Sequence, residues 1–448
     1  MPSLKNCKKY IFNQDIKPHA ILNALAHLNH SVYLQNNGFP VVAFAAEEYF
    51  ILKNSQWMHY VQHDLHTYHK SFIQHLPAMQ NNNPDTNCSK EFNGGFIGFI
   101  SYDFGAAQHI QLAQKHQPSL FLGYFSIYLA WSPDGWLLHC PAEKQSEIEA
   151  MLLQSINHPN AAADFKLNSP CTARWSKTQY SDAFHHVQEY IKAGDCYQIN
   201  LTQEFTAQAE GSILAAAEQF WTLTNAPYSG YLRIDDFELL SCSPELFIDF
   251  EAKRNIVTKP IKGTMPRFED PIQDEQSKTA LKSSKKDQAE NVMIVDLLRN
   301  DLSMYAETGS VKTPKLFNIE SFNQVHHMVS EVTATLKEEV NPFEMLLSAL
   351  PGGSITGAPK IRAMQIIDEL EGAPRGAYCG SLGYFNDDGT GSWNILIRSI
   401  QKYQDEVSLW AGGGITIASD CDSEYQECFD KVSAMLDLLN TWHHPESS

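Results

Sequence analysis

Residues 180–205 read YSDAFHHVQEYIKAGDCYQINLTQEF, and two different periods meet inside them. Tyr180, Phe184, Val187 and Ile191 recur at steps of four, three and four, which places them on one face of an amphipathic helix. Gly194 supplies the stop. Beyond it, 196–205 alternates as a strand with Tyr197, Ile199 and Leu201 on one face. Working outward, the apolar runs 41–44, 96–100 and 121–131 read as strands on the N-terminal side. On the C-terminal side 237–242, 246–250 and 255–261 read as further strands, a long helix covers 287–302, and a last helix covers about 424–439. Strands and helices mix without strict βαβ alternation, so the expected class is α+β rather than a doubly wound sheet. The polar run 80–90, with three consecutive asparagines, reads as a loop or mobile insertion. The polar stretch 158–172 is expected to separate an N-terminal region, 1–160, from a second region, 170–440.

A chain of 448 residues accommodates one large enzyme-sized unit or two to three ordinary domains. With 43% apolar and 19% charged residues the composition is globular, which excludes disordered and collagen-like classes. Fifty-two acids against 33 bases leave −19, a balance that repels phosphate backbones, so no nucleic-acid partner is expected. The same balance repels a small anionic metabolite unless its site carries cations of its own. No membrane insertion is expected either: the most apolar run, 121–131, is far short of ~20 residues and is interrupted by Gly123 and Ser126. Lys5, Lys8 and Lys9 precede no apolar secretory run. Nine cysteines without a C-x-x-C pair fit reduced thiols in the cytoplasm better than a disulfide scaffold or a zinc site.

Several segments can carry chemistry. Asp287 and Glu290 share one helix face, and continuing that stripe to Ile294, Leu297 and Leu298 turns Glu290 toward the apolar side. Glu424 and Glu427 follow the capping box Ser423-x-x-Gln426, in the first turn of the final helix. The helix dipole alone accounts for acids in such places; the alternative is that the two pairs together form a hard oxygen site for Mg²⁺, and spacing by itself favours the first. Residues 352–360, GGSITGAPK, fail the Walker A spacing because Ala358 and Pro359 separate the glycine from Lys360. They leave a tight loop whose amides and hydroxyls can face a carboxylate, entering a helix through Pro359. Gly412, Gly413 and Gly414, before Ile415 and Thr416, permit close approach of backbone to ligand, and ordinary turns explain both segments equally well. Lys262, in PIKGT at 260–264, is either an exposed inert lysine or, in an apolar pocket or beside a cation, a nucleophile or base. Glu245, after Pro244, is either a turn acid or a general acid.

Taken in order, Ser243-Pro244-Glu245, PIKGT, DLLRNDL at 296–302, GGSITGAPK with Arg362-Ala363-Met364, and GGGIT followed by Glu424-x-x-Glu427 resemble the chorismate-utilising enzymes. The likeness runs from about 170 to 440, and the portion before it resembles the first region of anthranilate synthase and aminodeoxychorismate synthase large subunits. It implies an anthranilate-synthase-component-I-like fold: two packed β-sheets flanked by helices, with both regions contributing strands. It further implies that Glu290 and Glu427 bind Mg²⁺, supported by Asp287 and Glu424, and that the metal holds the ring carboxylate of chorismate. Arg398, Tyr378, Lys431 and the amides around Gly413 match positions that hold the second carboxylate. Thr264 and the loop Ser354, Ile355 and Thr356 match positions lining the ring. Glu245 matches the acid that protonates the departing hydroxyl.

Two positions choose within the family. Salicylate and isochorismate synthases carry a water-activating lysine where this chain has Gln198, which points to ammonia as the nucleophile. Lys262 stands where anthranilate synthases usually have alanine and aminodeoxychorismate synthases have lysine. The implied reaction is therefore amination of chorismate to 4-amino-4-deoxychorismate, the precursor of p-aminobenzoate in folate biosynthesis, through a covalent lysine intermediate. Anthranilate synthase component I and a non-catalytic chorismate-binding subunit are the alternatives. Lys262 speaks against the first, and the joint presence of Glu245, Lys262, Glu290 and Glu427 against the second. No cysteine lies in a glutaminase-like elbow, Cys379 being the nearest, so a separate glutamine amidotransferase subunit (component II) is the implied ammonia source. One departure stands out. Where large subunits often carry a Leu-Leu-x-Ser-Gly element of a tryptophan pocket, this chain has Tyr33-Leu34-Gln35-Asn36-Asn37-Gly38, which puts tryptophan binding in doubt.

Overall fold

In the computed structural model, which describes residues 6–77, 91–158, 164–321 and 325–444, the helix anticipated at 180–191 is Lys177–Ala193. Ser176 and Gln179 form a reciprocal capping box at its start, and Gly194 ends it in the left-handed conformation. Tyr180, Phe184 and Val187 are buried against the helices Lys360–Glu371 and Cys421–Asp430. The following strand begins at Gln198 rather than 196. Tyr197 is 69% exposed and sits outside the alternation, because its N–H is taken by Ala358 O at 2.8 Å before the ladder starts. Ile199 and Leu201 turn toward the helices as expected. The polar residues of the other face are buried too: the Asn200 amide donates to Ile355 O and the Thr202 hydroxyl to Glu371. Hydrogen bonds within the protein satisfy these two side chains. Gln198 on that face is an exception, its buried amide oxygen and nitrogen both lacking a partner among the described residues.

The strands form two large antiparallel sheets. The first runs through Asn6–Phe12, Gly135–Pro141, Tyr128–Ser132, Val41–Phe44 and His30–Leu34, then Tyr228–Ile234, Phe237–Ser243, Ser399–Tyr403, Glu406–Ile415 and Gln198–Glu210. The second runs through Ile261–Pro266, Val325–Thr335, Asn255–Thr258, Leu246–Phe250, Gly391–Asn394 and Ser381–Asn386, then Gly95–Ile100, Leu120–Phe125, Glu48–Lys53, Gln56–Gln62 and Tyr68–Ile73. Each sheet is thus half early chain and half late chain. They are sewn together where Tyr33 pairs Tyr231 and where Ile97 pairs Tyr384. Within the polar stretch 158–172, residues 159–163 lie outside the described residues, while Lys166–Leu167 and Thr172–Ala173 pair with the strand Gln198–Glu210. The expectation for 80–90 also lies outside the described residues.

Val32, Ala43 and Leu232 of the first sheet meet Phe99, Phe121 and Leu382 of the second in a shared core. Helices cover the outer faces. Pro18–Ala24, Gln145–Asn157, Ala217–Thr224 and Ser433–Asn440 pack on one sheet, and Lys285–Ser303 with Pro342–Ala349 on the other. This is the α+β arrangement of two packed sheets flanked by helices. The eight cysteines among the described residues are unpaired, and no helix there is long and apolar enough to cross a membrane.

The last expected helix is in fact two, Cys421–Asp430 and Ser433–Asn440. The break at Val432 lets the first face the helical cluster and the pocket while the second buries Met435, Leu436 and Leu439 on the first sheet. The N-cap of Cys421–Asp430 is Asp420, which accepts from Ser423 N at 3.0 Å. The Ser423-x-x-Gln426 box does not form: Ser423 is already inside the helix and its hydroxyl donates to Asp420. Glu424 is consequently in the first turn and Glu427 one turn further on.

Candidate active site

One cavity of about 530 Å³ opens between the two sheets' late-chain strands and the helices Lys285–Ser303 and Cys421–Asp430. Its wall contains Glu245, Lys262, Thr264, Asp287, Glu290, Ser354, Ile355, Tyr378, Arg398, Gly412, Gly413, Gly414, Glu424, Glu427 and Lys431. Thr356 is not part of the wall. It is fully buried behind the loop, its hydroxyl donating to Gly352 O at 3.0 Å and its carbonyl accepting from Asn200 N at 2.7 Å. It shapes the loop that presents Ser354 and Ile355.

Glu245 ends the turn between the strands Phe237–Ser243 and Leu246–Phe250. It is only 5% exposed, and burial pushes its carboxyl up to about 7, with the Lys262 charge opposing. Ile261 N donates to it at 3.5 Å. Lys262 lies one residue along, on an edge strand, and donates to Ser354 O at 3.3 Å. Burial lowers its ammonium from the ordinary lysine value; Glu290 works against that shift and Lys431 with it. A carboxyl that keeps its proton near neutrality and an amine that sheds one easily therefore share a cavity. That pairing suits acid-assisted displacement by a nitrogen nucleophile.

Cations line the rest. Burial lowers the Arg398 guanidinium as well, and among the described residues no carboxylate forms an ion pair with it. Lys431 donates to Gly412 O at 2.8 Å and pairs with Glu427 at 2.6 Å. Thr264 and His327 hydrogen-bond across their strand pair at 2.9 Å. Burial, then the Arg398 charge, holds that imidazole down at about 4 and hence neutral. Tyr378 stacks on Trp410 with centroids 5.8 Å apart.

The four acids do converge on one side. A Cβ on Gly413 would come within 3.0 Å of Glu424 Oε2 and 3.1 Å of Glu427 Oε1, so the bare glycine makes room for both carboxylates. Lys286 lies 3.8 Å from Glu424, and Ser419 donates to the same carboxylate at 2.7 Å. Burial raises Glu290 and Glu424, while for Glu427 burial is outweighed by Lys431 together with Lys286 and Lys262. Among the described residues no three such side chains form a ready-made metal cage. Mg²⁺ commonly takes one or two protein carboxylates and completes its shell with substrate oxygens and water, so this donor set fits the ion without a closed cage.

Asn200, Lys286, His327 and Trp410 also line the cavity and escaped the sequence reading. Lys286 carried a usable signal, since it precedes Asp287 and stands four residues before Glu290 on the same helix. His327 and Trp410 carried none beyond membership of a strand. At the Tyr33–Gly38 element, the Asn36 amide donates to Tyr384 OH at 3.2 Å. The gap beside it is about 20 Å³, room for about one water.

A family model described as chorismate binding enzyme matches residues 26–437. Aminodeoxychorismate synthase component 1 of Klebsiella aerogenes is 42% identical over 354 residues, 78% of each chain. That of Escherichia coli (strain K12) is 40% identical over 365 residues, 80% of this chain and 79% of its own. Anthranilate synthase component 1 1 of Haloarcula marismortui is 33% identical over 384 residues, 79% of this chain and 77% of its own. Among solved structures, anthranilate synthase component I from Streptococcus pneumoniae superposes with a TM-score of 0.73 at 23% identity, covering 96% of this chain and 99% of that one. With the motifs gathered around one cavity and the match running through nearly the whole sequence, the chain belongs to the chorismate binding enzyme family.

Proposed function

We propose that this chain converts chorismate and ammonia to 4-amino-4-deoxychorismate, the amino-transferring step before p-aminobenzoate. The observation that carries the reading is Lys262: a half-buried lysine with a lowered pKa, facing the same cavity as a Glu245 carboxyl pushed up to about 7. Neutral Lys262 attacks C2 of the ring while Glu245 gives its proton to the 4-hydroxyl, which leaves as water as both conjugated ring double bonds move one position along. Ammonia then adds at C4, both double bonds return and the C2–lysine bond breaks. The amine's spare proton restores Glu245. Hydroxide leaves poorly, so the acid is needed; two displacements replace one difficult substitution.

Chorismate is a dianion, and Arg398 with Lys431 and the Gly412–Gly414 backbone suits one carboxylate. Glu290 and Glu427, flanked by Asp287 and Glu424, would hold Mg²⁺, which when bound supplies the positive charge facing the other carboxylate. Thr264, Ser354 and Ile355 line the ring, and Tyr378 stands with Arg398 and Lys431 at the carboxylate. Thr264 hydrogen-bonds to a neutral His327 rather than to a charged group, so this pair adds no charge of its own.

Relatives named component 1 imply a second component, and a separate glutamine amidotransferase subunit is the proposed ammonia source. The setting is the cytoplasm. Incubation with chorismate, Mg²⁺ and ammonium at mildly alkaline pH tests the proposal. The expected product has the mass of aminodeoxychorismate and yields p-aminobenzoate with a downstream lyase. Anthranilate as the main product would overturn it. Chorismate binding without turnover would leave a binding subunit.

A further inference from the structure

Outside the cavity wall, Arg375 and Glu371 form a pair only 1% exposed on either side. Arg375 Nε donates to Glu371 Oε2 at 2.8 Å and Nη2 to Oε1 at 2.7 Å. Its remaining donors point toward the cavity's own scaffolding. Nη1 donates to Ile355 O at 2.9 Å and Nη2 to Asn200 O at 2.8 Å. The guanidinium plane lies 5.7 Å from the Tyr378 ring and 4.7 Å from Tyr102. Ile355, Asn200 and Tyr378 all line the cavity, on three different segments of chain. Glu371 also accepts from Thr202 N at 3.0 Å and from the Thr202 hydroxyl at 2.6 Å, fixing the strand that carries Asn200. The turn itself is anchored: Gly376 N donates to Asp103 at 3.0 Å, Ala377 N to Gln401 at 2.8 Å, and Gln401 returns a bond to Arg375 O at 3.0 Å.

We infer that Arg375, held by Glu371, is a positioning residue that sets the spacing of the Ile355 loop, the Asn200 strand and Tyr378, and so the width of the chorismate-binding cavity. This rests on the reading of the site given above. A planar fork with several donors is what the task requires: a lysine ammonium opposite Glu371 can keep the charge but cannot span two carbonyls in fixed geometry. A pair serving stability alone has no need to direct its spare donors at two carbonyls of the cavity wall, and an apolar pair of similar volume often replaces such an ion pair without loss of stability.

The test uses the full chain with Arg375→Met and Glu371→Gln combined, which removes both charges while leaving Thr202 an acceptor, and Arg375→Lys alone. Chorismate affinity is measured by calorimetry with Mg²⁺ and no ammonia, and kcat and KM are measured separately for chorismate and for ammonium. With a cooperative melt retained, the double variant is expected to bind chorismate about tenfold more weakly and to lose kcat, with the ammonium KM unchanged. Arg375→Lys should fall between it and the wild type, and it decides the matter if the double variant does not fold. Folded variants with wild-type chorismate affinity and kcat would overturn the inference alone. A wild-type chain that neither binds nor consumes chorismate would overturn the reading of the site, and the inference with it.

Discussion

Lys262 and Glu245 carry most of the weight at the scale of single residues. Replacing Lys262 with alanine is expected to abolish aminodeoxychorismate formation while leaving chorismate affinity within a few-fold; wild-type turnover in that variant would rule out the covalent step. Glu245 links chemistry to stability. Its folded pKa, near 7 through burial, lies above the unfolded carboxyl value, so its stabilising contribution is complete below the unfolded pKa and is lost as pH rises through about 7. Glu245→Gln should therefore match the wild type at pH 5 and exceed it by about 3 kcal/mol near pH 8.5, read from urea midpoints at the two values. An equal difference at both would mean the carboxyl is not desolvated as described. The same variant should lose about 10²- to 10⁴-fold in kcat for want of its proton. The sequence displayed both side chains within short motifs but left each open between an inert surface group and a reactive one. Solvent exclusion decides that choice, and it comes from residues far away in the chain.

At the scale of elements, the strand Glu406–Ile415 separates two glycines that look alike in sequence. A Cβ on Gly412 would meet Leu201 O at 2.1 Å and Thr202 Cα at 2.5 Å, backbone atoms that cannot yield. On Gly413 its nearest neighbours would be the ends of Glu424 and Glu427. Gly412→Ala should thus destabilise the fold by about 1–3 kcal/mol. Gly413→Ala should melt close to the wild type but need severalfold more Mg²⁺ for half-maximal activity; the opposite pattern would refute the assignment. The helix Cys421–Asp430 offers another check: Asp420→Ala should cost about 1 kcal/mol, whereas Ser423→Ala should cost less, since Ser423 is not the cap. Sequence periodicity located most of these elements. It misplaced the cap and fused two helices, because Asp420 and Ser423 are equally good capping types and no Pro or Gly marks the break at Val432. The break exists because two faces pack on different neighbours.

For the whole molecule, the division of the polar stretch near 158–172 does not separate two sheets. Tyr228–Ile234 needs His30–Leu34 beside it, and Ser381–Asn386 needs Gly95–Ile100. A fragment spanning 170–444 is expected to expose both edges and associate, giving no cooperative melt by calorimetry; a sharp melt from a monomer would contradict this. The −19 balance likewise describes the exterior, while Arg398, Lys262, Lys286 and Lys431 gather at the cavity. By itself the sequence determined the mixed helix and strand periods, the order of the motifs and the residue types available for chemistry, since these are local properties of short stretches. Only the tertiary structure decided that Lys262 and Glu245 lose water together, that Thr356 stands behind the wall, and that Arg375 turns inward to brace it. Burial, charge pairing and the shifts they cause are set by packing between strands more than a hundred residues apart, which no local pattern encodes.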